Sequence, residues 1–252
     1  MLLDTIPLND GCQIPQIGFG TCLMPSPDTE RLVGTALVAG YRHIDTARYY
    51  RNEARVGKAV PPVTCPENRC GSPANCPSAR THVRQAIDAS VGELGTHPDL
   101  YLIHWPQQGH YAQTWRALQE AQADGRLRSV GVSDFHRGHL ERILGDGGIR
   151  PAVNCADLGI AVQAWSPLGA GAVLRDRTIA SVAQDVGRSS AQVILRWHLR
   201  RGDPVMPKAG AGPRIRENLA SDDFVLSPGD MTRTDRIDRG ERGRSGPRPA
   251  AA

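Results

Sequence analysis

A carboxylate, an imidazole and an ammonium recur in this chain at one kind of position, the end of a short apolar run. Asp45 closes the run 41–45, His104 closes 99–104, and Lys208 follows 204–207. Gly20 and Thr21, Ser133 and Asp134, Asn154, and Trp165 and Ser166 stand at the ends of 16–21, 129–133, 152–154 and 160–165. Groups of these types move protons or hold anions, and they act together only if the fold carries separate stretches to one pocket.

The elements that would do this are legible. Between the seven strand-like runs lie amphipathic segments at 29–39, 82–94, 111–123, 139–144, 179–186 and 190–201, with apolar residues near helical spacing. Alternation of strand and helix implies βα units and a parallel sheet. An eightfold βα barrel takes about 250 residues, and this chain has 252. In such a barrel all strand ends meet at one face, where the active site forms. An eighth strand is missing from the count. Ahead of the first strand, 5–8 and 13–14 flank Asn9-Asp10-Gly11, the turn signal of a small hairpin.

Composition narrows the classes. Apolar residues make up 40% of the chain, enough for a core. Mean hydropathy is -0.37, and no apolar run is long enough to cross a bilayer. Residues 1–10 lack the pattern of a secretion signal, so a cytoplasmic location with six cysteine thiols is expected. The net charge of +4 is spread along the chain and only 5% of residues are aromatic, which argues against a nucleic-acid groove. Arginines alternate with acids, Gly and Pro near the C-terminus. The expected organisation is therefore one domain over 1–231 and a basic, partly disordered tail over 232–252.

Five motifs then occur in a definite order. They are Gly40 to Ala47 (GYRHIDTA) followed by Tyr50, Asn52, Glu53 and Gly57; Leu100 to Pro106 (LYLIHWP); Gly131 to Phe135 (GVSDF); Ala164 to Gly169 (AWSPLG); and Pro207-Lys208 followed by Arg214, Ile215, Glu217 and Asn218. With these the chain resembles the aldo-keto reductases from about residue 5 to 247. The resemblance implies a (β/α)8 TIM barrel that reduces an aldehyde or ketone with NADPH, a small-molecule carbonyl being the substrate. It implies no metal, nucleic-acid or membrane partner, and it leaves the oligomeric state open.

It also implies roles. Tyr50 would give a proton to the substrate oxygen, His104 would orient the carbonyl, and Asp45 would pair with a lysine that lowers the tyrosine pKa. Lys208 and Arg214 would hold the ribose 2′-phosphate, which suits cations with several donors. Asn218 would meet the adenine, Ser133 and Asn154 the nicotinamide amide, and Trp165 the nicotinamide ring. Gly20, Thr21, Asp134, Ser166 and Leu168 complete the implied cofactor site. The Gly-x-Gly-x-x-Gly turn of dinucleotide folds does not follow any strand here.

The pattern breaks twice. Residues 61–80 should hold the third strand and the lysine, yet they carry five prolines, three cysteines and no lysine. The expectation is a disrupted third strand. Cys65, Cys70, Cys76 and His82 are separated by four, five and five residues, which does not repeat a zinc knuckle. A shifted reading frame accounts for the segment: one choice of synonymous codons for Val63 to Pro77, read two bases later, encodes Asp-Leu-Pro-Arg-Glu-Pro-Leu-Trp-Val-Thr-Ser-Lys-Leu-Pro. Secondly, only residues 155–159 separate Asn154 from Ile160, too few for a parallel crossover, so the helix between the sixth and seventh strands is expected to be missing. Cys155 stands where the family has a glutamine that contacts the nicotinamide amide, and Asp134, Ala209 and Cys22 are smaller departures. Without the lysine, Tyr50 would drift toward the free tyrosine pKa of about 10. An impaired reductase is the reading. A noncatalytic NADPH-binding barrel and a nonfunctional product of a frame-shifted gene are the alternatives.

Overall fold

The computed structural model describes residues 4–60, 65–70, 79–145, 147–154, 160–164 and 166–237. The Asn9-Asp10-Gly11 turn joins β1 (Thr5–Pro7) to β2 (Gln13–Pro15) as an antiparallel pair, with Gly11 supplying the left-handed φ of +85°. Leu8 and Ile14 of this hairpin pack on Leu100, Leu102 and Val153, and Asn9 Nδ2 donates to the Pro151 carbonyl at 2.7 Å. The hairpin thus stoppers the entry ends of the strands that follow.

Five strands run parallel in chain order: β3 (Phe19–Gly20), β4 (His43–Ala47), β5 (Cys65–Cys70), β6 (Leu100–Ile103) and β7 (Ser129–Val132). A second parallel pair is β8 (Val153–Asn154) with β9 (Ala161–Val162). Backbone hydrogen bonds join the two sets. The Ala152 N–H donates to Val130 O (2.9 Å), that of Ala164 to Pro204 O (2.9 Å), that of Val205 to Gln16 O (2.8 Å), and that of Gly18 back to Val205 O (2.9 Å). Followed in order, these bonds lead from β3 around to Val205 and return to β3. Where a strand is expected over 204–207, Val205 bridges Ile17 and Ala164, and Pro207 O accepts from the Gly20 N–H at 3.3 Å.

The strand expected to be disrupted is present: β5 pairs with β4 from His43↔Cys65 to Ala47↔Arg69 and with β6 from Glu67↔Leu100 to Cys70↔Ile103. That expectation is corrected here. Among the described residues of the segment 61–80, Pro66 is the one proline. One proline removes one donor from a ladder that its neighbours still support on both sides. The short link expected between the sixth and seventh strands falls on residues 155–159, outside the described residues.

Helices clothe the strands: α1 (Ser26–Ala39), α2 (Glu53–Ala59), α3 (Ala79–Leu94), α4 (Tyr111–Ala123), α5 (Arg137–Gly145), α6 (Arg177–Val186), α7 (Ser190–Arg200), α8 (Gly212–Leu219) and α9 (Pro228–Asp235). Strand periodicity sorts the faces. Ile44 packs on Leu32, Val33 and Ala36 of α1, so its neighbours His43 and Asp45 turn away from the helix layer. Tyr101 and Ile103 pack outward on Ile87, Trp115 and Leu118, whereas Leu100 and Leu102 turn toward the hairpin. Helix α9 crosses the boundary expected at residue 231: Arg233 donates to Asp185 and Ser181 (both 2.7 Å), and Trp197 Nε1 donates to Asp235 (2.8 Å). Among the described residues no helix is long and apolar enough to cross a membrane.

Candidate active site

The loops after β4 and β6 bring four rings together. Beyond Ala47 the chain tightens into a 3-10 turn, Arg48–Tyr50, and leaves it through Arg51 in the left-handed region (φ +54°). The Tyr50 ring lies 5.6 Å from His104, centroid to centroid, with the planes 87° apart. His104 and Trp105 follow β6 directly, and their rings are 4.4 Å apart. Tyr49 completes the group at 5.6 Å from Trp105. A phenol and an imidazole side by side on one face supply a proton donor and an orienting hydrogen-bond partner for an oxygen placed between them.

Asn52 explains why the turn is held. Its Nδ2 donates to the carbonyls of Thr21 (3.0 Å) and Met24 (3.4 Å), and its Oδ1 accepts from Thr46 Oγ1 at 3.2 Å. One buried amide therefore ties the end of β3, the end of β4 and the start of α2. The motif around Tyr50 contains Asn52, but no chemistry singled it out: an amide that works through backbone carbonyls 28 and 31 residues away leaves no local signal.

Asp45 is buried within β4, beside Gly20 of β3 and in register with Glu67 of β5. Thr21 is anchored over it, with both its N–H and its hydroxyl donating to the Asp45 carbonyl at 3.0 Å. Gly20 has a reason to be glycine, because a Cβ there would stand 2.8 Å from the Met206 carbonyl. This close approach carries the chain into Lys208.

On the next loop Ser133 is buried and its N–H donates to Ile103 O (2.8 Å), and Asp134 adopts φ +60°. Asn154 is buried at the end of β8 and its Nδ2 donates to Phe135 O at 3.2 Å, which ties it to the loop that carries Ser133, the other residue expected to meet an amide. Ser166 is exposed with φ +47°, and Leu168 packs between two core clusters. Trp165 lies outside the described residues.

Lys208 and Arg214 are both exposed, Arg214 in the first turn of α8 and Asn218 buried in its last. Two observations show how α8 is fastened. The Tyr41 hydroxyl donates to Ile215 O at 3.1 Å, and Gln192 Nε2 of α7 donates to Glu217 O (3.2 Å) and Ala220 O (3.4 Å). Burial pushes the Tyr41 phenol well above its ordinary range, so it remains a donor. A cation in a first helical turn opposes the helix dipole, whereas an anion there is favoured and charge-assisted. The donor set fits a phosphate. No group of three or more His, Cys, Asp or Glu able to hold a metal occurs among the described residues.

The model of the "Aldo/keto reductase family" matches residues 16–155 and 154–239. An aldo-keto reductase of Mycolicibacterium smegmatis is 41% identical, covering 94% of each chain. The methylglyoxal reductase DkgA of Yersinia pestis is 36% identical, again over 94% of each. Among solved structures, a variant of Gox0644 in complex with NADPH superimposes with a TM-score of 0.90 at 36% identity, covering 98% of this chain and 97% of that one.

Proposed function

The chain belongs to the aldo/keto reductase family, and from that premise we propose that it reduces an aldehyde or ketone with NADPH, at a rate impaired by the sequence of its third strand. The observation that carries the reading is the contact of Tyr50 with His104, beyond the ends of β4 and β6, the two strands that flank β5. NADPH, when bound, supplies the hydride. Everything else falls to side chains of this protein.

The carbonyl oxygen gains charge as its carbon is reduced and needs a proton at that moment. The Tyr50 hydroxyl donates it, and His104 holds the oxygen in line by hydrogen bonding. Asn52 keeps the turn of Tyr50 in place through Thr21, Met24 and Thr46. Lys208 and Arg214 would hold the 2′-phosphate of the cofactor, Asn218 its adenine, and Ser133 and Asn154 its amide. Gly20, Thr21, Asp134, Ser166, Leu168 and Trp165 belong to the same proposed site.

Impairment follows from residues 61–80, which contain no lysine to lower the Tyr50 pKa beside Asp45. Weakening general acid catalysis lowers rates by about 10² to 10⁴. The same segment supports a second reading, a barrel that binds NADPH without turnover.

Purified protein titrated with NADPH, followed by cofactor fluorescence and then by loss of absorbance on adding benzaldehyde, separates the two. Slow turnover supports the reductase. Binding with none supports the second reading, and absence of binding removes both and points to a nonfunctional product of a frame-shifted gene. Replacing Val63 to Pro77 by the alternative-frame sequence restores turnover if this segment is the lesion. A gene sequence that yields no Val-Thr-Ser-Lys in either other frame rejects the shifted frame.

A further inference from the structure

A cavity of about 240 Å³ lies at the entry end of β3, whereas the Tyr50–His104 pair stands beyond the exit ends of β4 and β6. Its floor is Gln16 and Ile17, just ahead of β3, and its wall is Leu199 near the end of α7. Three hydrogen bonds fix that floor. The Gln16 N–H donates to Asp4 O and the Val205 N–H to Gln16 O, both at 2.8 Å, and Gln16 Nε2 donates to Leu199 O at 2.8 Å. Four charged groups line the same cavity: Arg196 and Arg200, one turn apart on α7, with Asp4 and Asp222. Arg200 and Asp4 are exposed at the rim. Arg196 Nε and Asp222 Oδ1 are buried, and neither has a hydrogen-bond partner in the protein.

A buried donor and a buried acceptor left unmatched cost stability, and in one cavity they call for a ligand that carries the complementary pair. Charge decides its class. A plain anion on the guanidiniums would meet two carboxylates nearby, and a plain cation on the carboxylates would meet two guanidiniums. Only a molecule that bears both signs matches both. Burial raises the Asp222 carboxyl, with Asp223 and Asp4 adding to it, so an ammonium beside Asp222 and Asp4 relieves their repulsion. A carboxylate on Arg196 and Arg200 takes up the Nε donor in a charge-assisted bond. We propose that this cavity binds an α-amino acid as its zwitterion, the carboxylate on Arg196 and Arg200, the ammonium on Asp222 and Asp4, and a short apolar side chain against Ile17 and Leu199. The site is separate from the one that would reduce a carbonyl and does not depend on it.

The test is calorimetry on the full chain with three probes: L-valine, 3-methylbutanoate, which lacks the ammonium, and 2-methylpropylamine, which lacks the carboxylate. L-valine binds saturably, and each of the other two binds at least about tenfold more weakly. Arg196→Met and Asp222→Asn each weaken L-valine by at least about tenfold and leave NADPH affinity unchanged. Should Arg196→Met fail to fold, Arg200→Met at the exposed rim takes its place and weakens L-valine by about threefold or more. Saturating NADPH leaves the L-valine affinity as it was. Four results overturn the assignment. They are no saturable heat with L-valine, as for a cavity that holds only water; equal or tighter binding of either analogue; an unaltered affinity in the variants; and competition by NADPH, which would put the amino acid at the other end of the barrel.

Discussion

The two halves of the ring are built differently. From β4 to β7 each strand is tied to the next over four or five consecutive residues, whereas β8 and β9 share two pairs and Val205 is held by single bridges. The proton-handling candidates Asp45, Tyr50 and His104 all come from the first half. Lys208, Arg214 and Asn218 come from the second, on or near a helix fastened by Tyr41 and Gln192. Proton transfer demands reacting atoms within hydrogen-bond reach, and a continuous ladder delivers that. Long cationic side chains reach a phosphate from an exposed helix and tolerate a looser support.

The largest effect expected from this contrast is on chemistry alone. In the chain that carries the alternative-frame sequence at Val63 to Pro77, Tyr50→Phe lowers kcat by about 10² to 10⁴ while NADPH affinity, read by fluorescence, stays as it was; loss of both together would show that the halves do not divide the work. Next comes the cofactor side. Arg214→Met removes a charge-assisted contact worth about 1.5–3 kcal/mol, so NADPH binds at least about tenfold more weakly while NADH is unaffected.

Stability probes follow. Ser189 caps α7, accepting from the Gln192 N–H while the Gln192 side chain reaches back to the Ser189 N–H. Ser189→Ala costs about 1 kcal/mol, visible as a lower Tm, without altering kcat. The smallest change concerns Asp222, whose carboxyl is raised above its ordinary range by burial first and by Asp223 and Asp4 in addition, against its own backbone hydrogen bond and Arg196. A raised carboxyl means the native state binds more protons than the unfolded one, so stability is lost as pH rises through that range. Asp222→Asn removes this loss. Its Tm exceeds that of the wild type at neutral pH, and the gap closes below about pH 4, the unfolded carboxylate range.

How much of this could be read in advance differs by residue. The strands that carry Asp45 and precede His104 and Ser133 were legible because apolar runs flanked by helical spacing signal βα units, although β4 runs two residues past the end expected at Asp45, to Ala47. The third strand was not, since proline density argued against it. Pairing from β4 and β6 on both sides overrides local preference, as tertiary context often does for strands. Helix α9 runs past residue 231: Arg233 and Asp235 look like tail residues until Asp185, Ser181 and Trp197 are seen to meet them.

Amino-acid order alone determined the family, the places of His104 and Ser133 directly after strands and the absence of a lysine from 61–80. These are properties of residue type and spacing, and they survive without coordinates. Only the tertiary structure decided that Tyr50 faces His104, that Asn52 clasps three segments and that Tyr49 meets Trp105 at a right angle. The physical reason is that these contacts, the Thr46–Asn52 bond apart, join residues more than twenty positions apart, and the direction of a side chain across that distance is set by strand register and turn geometry.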